Sequence, residues 1–81
     1  MKRRKTRLET YQQAYLTKAD IRRLLLVSQP ASYRIYNLAD AVDETEMGKE
    51  RIEPYKVRFK TVMRVTHTDA SLLLKQIKAD M

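Results

Sequence analysis

The sequence predicts a mainly helical α+β fold built around a helix-turn-helix, with a small β-hairpin and a short C-terminal helix. Three observations support this class. Residues 16–42 carry two amphipathic helical patterns separated by a short break, which is the signature of a helix-turn-helix. From Pro54 onwards, apolar and basic residues alternate as they do in strands. A second capped, leucine-rich helical pattern follows near the end of the chain.

The 81 residues suit one small domain, which we expect to span residues 1–81. The chain has no Cys and one His, which excludes disulfides and leaves too few soft ligands for a zinc-type site. No Gly-rich phosphate loop and no nucleophile–base spacing is present, so the sequence predicts neither an enzyme nor a cofactor. No apolar run could span a membrane or serve as a signal peptide, and we expect a cytoplasmic protein that binds no membrane.

The charge of the chain favours a polyanionic partner. The net charge is +7 and the pI is about 9.9. Residues 40–53 hold six acids against two cations, so this stretch carries −4 and the rest of the chain +11. Cations attract phosphates and release their counterions, and segregated charge predicts one face for an anion and another turned away.

Residues 1–7 contain five cations and can be interpreted in two ways. They form either a flexible arm that follows a phosphate backbone or enters a minor groove, or a solvated terminus. Leu8, Tyr11, Ala14 and Tyr15 then recur at helical spacing, which predicts a short helix that packs its tyrosines on the core.

The first helix of the pair is predicted at about residues 18–27. Thr17 can cap it, and Asp20 stands where a capping box needs a carboxylate. Its cations point away from the apolar stripe and would contact phosphates if the helix crosses a DNA backbone. The alternative is an ordinary solvated face. These cations are Lys18, Arg22 and Arg23.

The second helix is predicted to begin near Gln29, because Pro30 suits a first helical turn. Its apolar stripe consists of Ala31, Ile35, Leu38 and Val42. The opposite side and its flanks offer amides for adenine, a guanidinium for guanine or phosphate, and tyrosines for sugar or a thymine methyl. The alternative is a solvated face with two partly buried tyrosines. The residues of this set are Gln29, Ser32, Tyr33, Arg34, Tyr36 and Asn37.

The acidic segment limits what the second helix can do. Asp40, Asp43 and Glu44 would repel phosphate, so DNA contact must be confined to the first turns of that helix. We expect these acids to form a solvated face. The helix ends before Gly48, which can take a positive φ, and could run on to Met47.

The alternating stretch from Tyr55 to Val65 predicts a hairpin rather than one unpaired strand. Its turn could fall near residues 58–61, or near Pro54 with residues 50–53 as the first strand. A basic hairpin after a helix-turn-helix can grip the neighbouring groove as a wing. The alternative is a sheet with a solvated basic face. The wing candidates are Lys56, Arg58, Lys60 and Arg64.

The last helix is predicted from Thr66, with Thr66 or Thr68 as its cap. Its inward stripe consists of Ala70, Leu73, Leu74 and Ile77. His67 lies beside the start of this helix, where we expect a junction residue rather than a ligand or a base.

In this order of elements the chain resembles the small excisionases, or recombination directionality factors, of phages and integrative elements. The resemblance covers about residues 15–78 and rests on LTKADIRRLL, SYRIYNLADAV, YKVRFKTVMRV and DASLLLKQI. It implies a winged helix-turn-helix related to the MerR type. The hairpin tip lacks the Gly that family wings often carry, and the acidic segment is longer than expected.

The resemblance also implies an activity. Such proteins bind repeated sites on attachment-site DNA, often as adjacent copies, bend it, and assist an integrase in excision. On this chain the reader and wing roles would fall to the second-helix and hairpin residues named above. Three alternatives remain: a small transcriptional repressor with the same fold, a protein-interaction accessory factor that does not bind DNA, and a small RNA-binding protein.

Overall fold

The computed structural model describes residues 5–80, and within them it confirms a mainly helical α+β fold. A 3₁₀ turn at Gly48–Glu50 follows the longest helix. The helices are α1 (Arg7–Tyr11), α2 (Lys18–Leu25), α3 (Gln29–Met47), α4 (Phe59–Val65) and α5 (Ala70–Ala79), and the strands are β1 (Tyr15–Leu16) and β2 (Val57–Arg58).

The long helix α3 lies at the centre and packs against α2, α4 and β2. One apolar core joins these elements to α5. Leu16, Ile21 and Leu24 are fully buried in it, and so are Val57 and Val62. The helix pair α2–α3 is therefore held in place by core residues from elements that precede and follow it in the chain.

Helix α1 is shorter than the sequence predicts. It begins at a capping box between Thr6 and Glu9 and ends at Tyr11. Tyr11 packs edge-on against Phe59, with ring centroids 5.1 Å apart, which confirms its predicted core role. Tyr15, expected on the same helix, lies on β1 instead. Of the predicted basic arm, residues 1–4 lie outside the described part of the chain.

The predicted hairpin within residues 50–65 is wrong at both proposed turns. Val57 and Arg58 pair antiparallel with Leu16 and Tyr15, far back in the chain. The next seven residues form α4.

The packing of α4 explains the error. Thr61, Val62 and Met63 of α4 are buried, and α4 packs against α3. Val62 does not fit the alternation of apolar and basic residues, but it shares a helical face with Phe59 and Met63. Tertiary burial overrides the strand propensity of this segment.

The ends of the later helices are partly as predicted. Helix α3 runs to Met47, and Gly48 follows it with a φ of 52°. Helix α5 begins at Ala70 and is capped by Asp69, whose side chain accepts from two backbone N–H groups. A cap at Thr66 or Thr68 is therefore wrong.

The inward stripe of α5 is confirmed, because Leu73 and Ile77 are buried while Ala70 and Leu74 are half-buried. His67 is exposed at the α4–α5 junction, also as expected. None of the helices in residues 5–80 is long and apolar enough to cross a membrane.

Candidate nucleic-acid interface

The predicted helix pair is present, and local hydrogen bonds set its boundaries. Thr17 Oγ1 accepts from the Asp20 N–H at 3.1 Å, and Asp20 Oδ2 accepts from the Thr17 N–H at 3.0 Å. Ser28 caps α3 by accepting from the Ala31 N–H at 3.3 Å. Helix α2 ends at Leu25, two residues earlier than predicted, and three residues connect it to α3.

Asp20 also fixes one of the cations of α2. Its side chain is buried and accepts from Gln13 at 3.0 Å and from Arg23 at 3.0 Å. Burial acts to raise the pKa of Asp20, but hydrogen bonds from Thr17 and Gln13 and the charge of Lys5 outweigh it and hold the pKa below its usual value. Arg23 is therefore tied to Asp20, whereas Arg22 is exposed.

The buried face of α3 is rotated by one residue from the predicted stripe. Ser32, Tyr36, Ala39 and Asp43 are buried. The predicted stripe flanks them: Ala31, Ile35 and Val42 are half-buried, and Leu38 is 54% exposed. Apolar periodicity missed this because two of the buried residues are polar, and polar groups enter a core when hydrogen bonds satisfy them.

Two of the six predicted reader residues are therefore buried. Ser32 is 1% exposed and donates to the Gln29 carbonyl at 2.7 Å. Tyr36 is 9% exposed, and burial, followed by the charge of Asp40, raises its pKa. Neither side chain reaches the open face of α3.

The other four predicted reader residues share the exposed face of the first turns of α3. We call them the reader residues: Gln29, Tyr33, Arg34 and Asn37. Gln29 Nε2 donates to Tyr33 Oη at 3.0 Å, which orients both side chains. Among the described residues, Arg34 and Asn37 have no hydrogen-bond or ion-pair partner, so their polar groups are free for a ligand.

A groove of about 810 Å³ lies between α2 and the start of α3. We call it the α2–α3 groove. Lys18, Arg22 and Arg23 line its α2 side, and Gln29, Tyr33 and the largely buried Ser32 line its α3 side. Lys18 Nζ lies 4.8 Å from the centre of the Tyr33 ring and 5.1 Å from that of Tyr36. The groove therefore combines positive charge with hydrogen-bonding side chains and an aromatic face.

The predicted wing residues do not form a basic strip. Arg58 binds Asp43 and Glu46 inside the fold, and its side chain is 16% exposed. Arg64, another wing candidate, is exposed and binds Glu46 at 3.1 Å. Lys60 is exposed in the first turn of α4, and Lys56 is half-buried just before β2.

The acids of α3 are not simply a solvated face. Asp43 is 1% exposed, and its carboxylate accepts from Thr61 and from the backbone and side chain of Arg58. Arg51 binds Asp40 at 2.6 Å and Glu44 at 3.1 Å. Arginines from later segments thus neutralise much of the negative charge that would otherwise repel phosphate.

Arg51 also fixes a loop that the sequence placed in a hairpin. Its side chain is 8% exposed and donates to the Lys56 carbonyl at 3.1 Å. The loop between them presents Ile52 and Tyr55, which are 77% and 83% exposed. In the sequence, Arg51 is recognisable only as a charge within an acidic segment. Its ion pairs with Asp40 and Glu44 could not be predicted because those acids lie in another element of the chain.

Leu26 is a second residue that the sequence analysis missed. It ends α2 in the left-handed region and lines the α2–α3 groove. The available signal was the short break between two helices, which commonly needs a left-handed residue, in a segment without Gly.

Within residues 5–80, no three His, Cys, Asp or Glu side chains come together in a group that could hold a metal ion. Comparison of the chain with protein-family models, with curated proteins and with solved structures gives no match. Any functional proposal therefore rests on the residues of this chain and their geometry.

Proposed function

We propose that the chain binds double-stranded DNA in a sequence-specific manner through the α2–α3 groove. The observation that carries this proposal is that Gln29 and Tyr33 lie in this groove beside the cations of α2. Arg34 and Asn37 are exposed in the same first turns of α3, outside the groove. Helix α3 enters the major groove with its first turns, and α2 crosses the phosphate backbone. The protein would thus be a DNA-binding module of the helix-turn-helix kind, in which contact is made before Asp40.

The reader residues supply the groups that base edges require. Gln29 and Asn37 present amides, which bind the N6 and N7 edge of adenine. Arg34 presents a guanidinium for guanine O6 and N7. Lys18 and Arg22, on the opposite side of the groove, bind phosphates and fix the register of α3 on the duplex.

Selection from a random-sequence duplex library is expected to enrich one sequence family. At ~150 mM salt, that duplex should bind at least ~10³-fold more tightly than a scrambled duplex of equal length, which is the range of specific recognition. Affinity should fall steeply with salt because counterions are released from the phosphates. Equal and weak binding to selected and scrambled duplexes would refute the proposal, and a preference for structured RNA would favour an RNA-binding protein.

The finer role that we propose is that of an excisionase. Its support is the resemblance of the α2, α3 and C-terminal segments to small excisionases. The protein would bind attachment-site DNA of a mobile element or prophage, with further copies of itself and an integrase as partners. In chain order, the loop at residues 51–56, which includes Lys56, stands where the resemblance implies a wing, and Lys60 follows in the first turn of α4.

Deleting the gene is expected to abolish excision of the element that carries it, and supplying the protein in trans should restore excision. A circular-junction PCR measures this directly. Normal excision, accompanied by raised transcription from a neighbouring promoter, would contradict the excisionase role and identify the alternative, a repressor with the same fold.

A further inference from the structure

Leu26 occupies a backbone conformation that leucine adopts at a cost. Its φ is 55° and its ψ is 45°, in the left-handed region where a Cβ crowds the backbone and glycine is the usual residue. Burial does not offset this cost, since the Leu26 side chain is 68% exposed. The end of α2 accounts for the left-handed conformation but not for a leucine in it, and strained residues of this kind are often found at functional sites.

The position of Leu26 connects it with the proposed interface. It lines the α2–α3 groove together with Arg22, Gln29 and Tyr33. It also lies just before Ser28, the residue that caps the reader helix. A ligand that contacts both Gln29 and Arg22 would therefore lie in the same groove as the Leu26 side chain.

The chemistry of the duplex identifies what a leucine can contact there. The edges of the bases in the major groove offer hydrogen-bond donors and acceptors and one apolar group, the C5-methyl of thymine. A leucine cannot form hydrogen bonds with the polar groups of the bases. The side chains beside it in the α2–α3 groove already supply hydrogen-bonding groups. We infer that Leu26 packs against the C5-methyl group of a thymine and makes the protein selective for thymine at one position of its site. This inference rests on the proposed function, because it requires α3 to enter the major groove.

Uracil substitution tests the inference by removing only the methyl group. Each thymine of the selected duplex is replaced in turn by deoxyuridine, and Kd is measured by fluorescence anisotropy. At one position the wild-type Kd should rise about fourfold, the effect of burying one methyl group. Leu26→Gly should show no rise at that position. Its affinity for the thymine duplex should already be about fourfold weaker.

Leu26→Gly is a safe variant, because glycine adopts the left-handed conformation without strain. Its melting temperature should be no lower than that of the wild type. The matched control is Leu72→Ala, which removes a leucine that is 61% exposed on α5, outside the groove. This control should keep the full sensitivity to uracil.

The outcomes separate the two proposals. If the wild type discriminates between duplexes but binds every uracil copy as well as the thymine duplex, the role of Leu26 is wrong and the proposed function stands. The same holds if Leu26→Gly is as sensitive to uracil as the wild type. If the wild type shows no preference for any duplex, the proposed function fails and this inference fails with it.

Discussion

Replacing Asp43 by alanine is expected to lower the free energy of unfolding by about 3–5 kcal/mol, the usual effect of removing one partner of a buried ion pair. The carboxylate accepts from the Arg58 N–H and Nε, both at 2.8 Å, and from Thr61 Oγ1 at 2.6 Å. Alanine leaves all three donors without this acceptor and opens a cavity beneath α3. Urea denaturation followed by the helical circular dichroism signal measures the loss.

Glu46→Ala is the matched control for this substitution. Glu46 binds the same Arg58 side chain, but its own side chain is 38% exposed, and exposed ion pairs contribute little to stability. We expect a much smaller change. If both variants lower the free energy of unfolding by the same amount, the burial of Asp43 does not account for the stability that its ion pair contributes.

The effect of Asp43 should depend on pH in a defined direction. Burial acts to raise its pKa, but the hydrogen bonds from Thr61 and Arg58 lower it more, so the pKa in the folded protein lies below the usual 3.8. The stability that the charged carboxylate contributes is therefore complete above the unfolded pKa and is lost as pH falls through the folded pKa. The gap in unfolding free energy between wild type and Asp43→Asn should be constant above about pH 5 and narrow below about pH 4.

Replacing Arg34 and Asn37 by alanine is expected to cost about 1–3 kcal/mol of binding free energy for each base contact that is lost. The loss should apply to the selected duplex and not to scrambled DNA, because these side chains would read bases. Both are exposed and have no partner among the described residues, so the melting temperature should not change. Anisotropy titrations with both duplexes give the discrimination ratio.

Arg22→Ala separates base reading from phosphate binding. Arg22 is exposed on the α2 side of the groove. Its removal should weaken DNA binding equally for all sequences. The slope of log K against log salt should fall by about 1. If the Arg34 and Asn37 variants instead weaken selected and scrambled duplexes equally, α3 is not the reader helix.

Local hydrogen bonds explain why part of the fold could be read from the sequence. The capping box at Thr17 and Asp20, the cap at Ser28 and the glycine after Met47 each act within a few residues. The inward stripe of α5 follows from the helical repeat alone. These signals placed the helix pair and the last helix, and with them four of the six predicted reader residues.

Tertiary structure decided what depends on distant partners. The strand at Val57–Arg58 exists because it pairs with Tyr15–Leu16, and the following residues become a helix because they pack on α3. The orientation of α3 depends on Asp43, which enters the core only because Arg58 and Thr61 satisfy it. That rotation buries Ser32 and Tyr36, and the same ion pair removes Arg58 from the surface.

The sequence by itself therefore determined where the helix pair α2–α3 lies and which cations α2 carries, because caps and helical periodicity are local. Only the tertiary structure decided which face of α3 is exposed to solvent. The opposite face contains Asp43, and a carboxylate can be buried only where hydrogen-bond donors from other parts of the chain bind it. The tertiary structure also places Leu26 in a strained, solvent-exposed position within the groove. Apolar periodicity alone cannot distinguish such an exposed leucine from a leucine of the core.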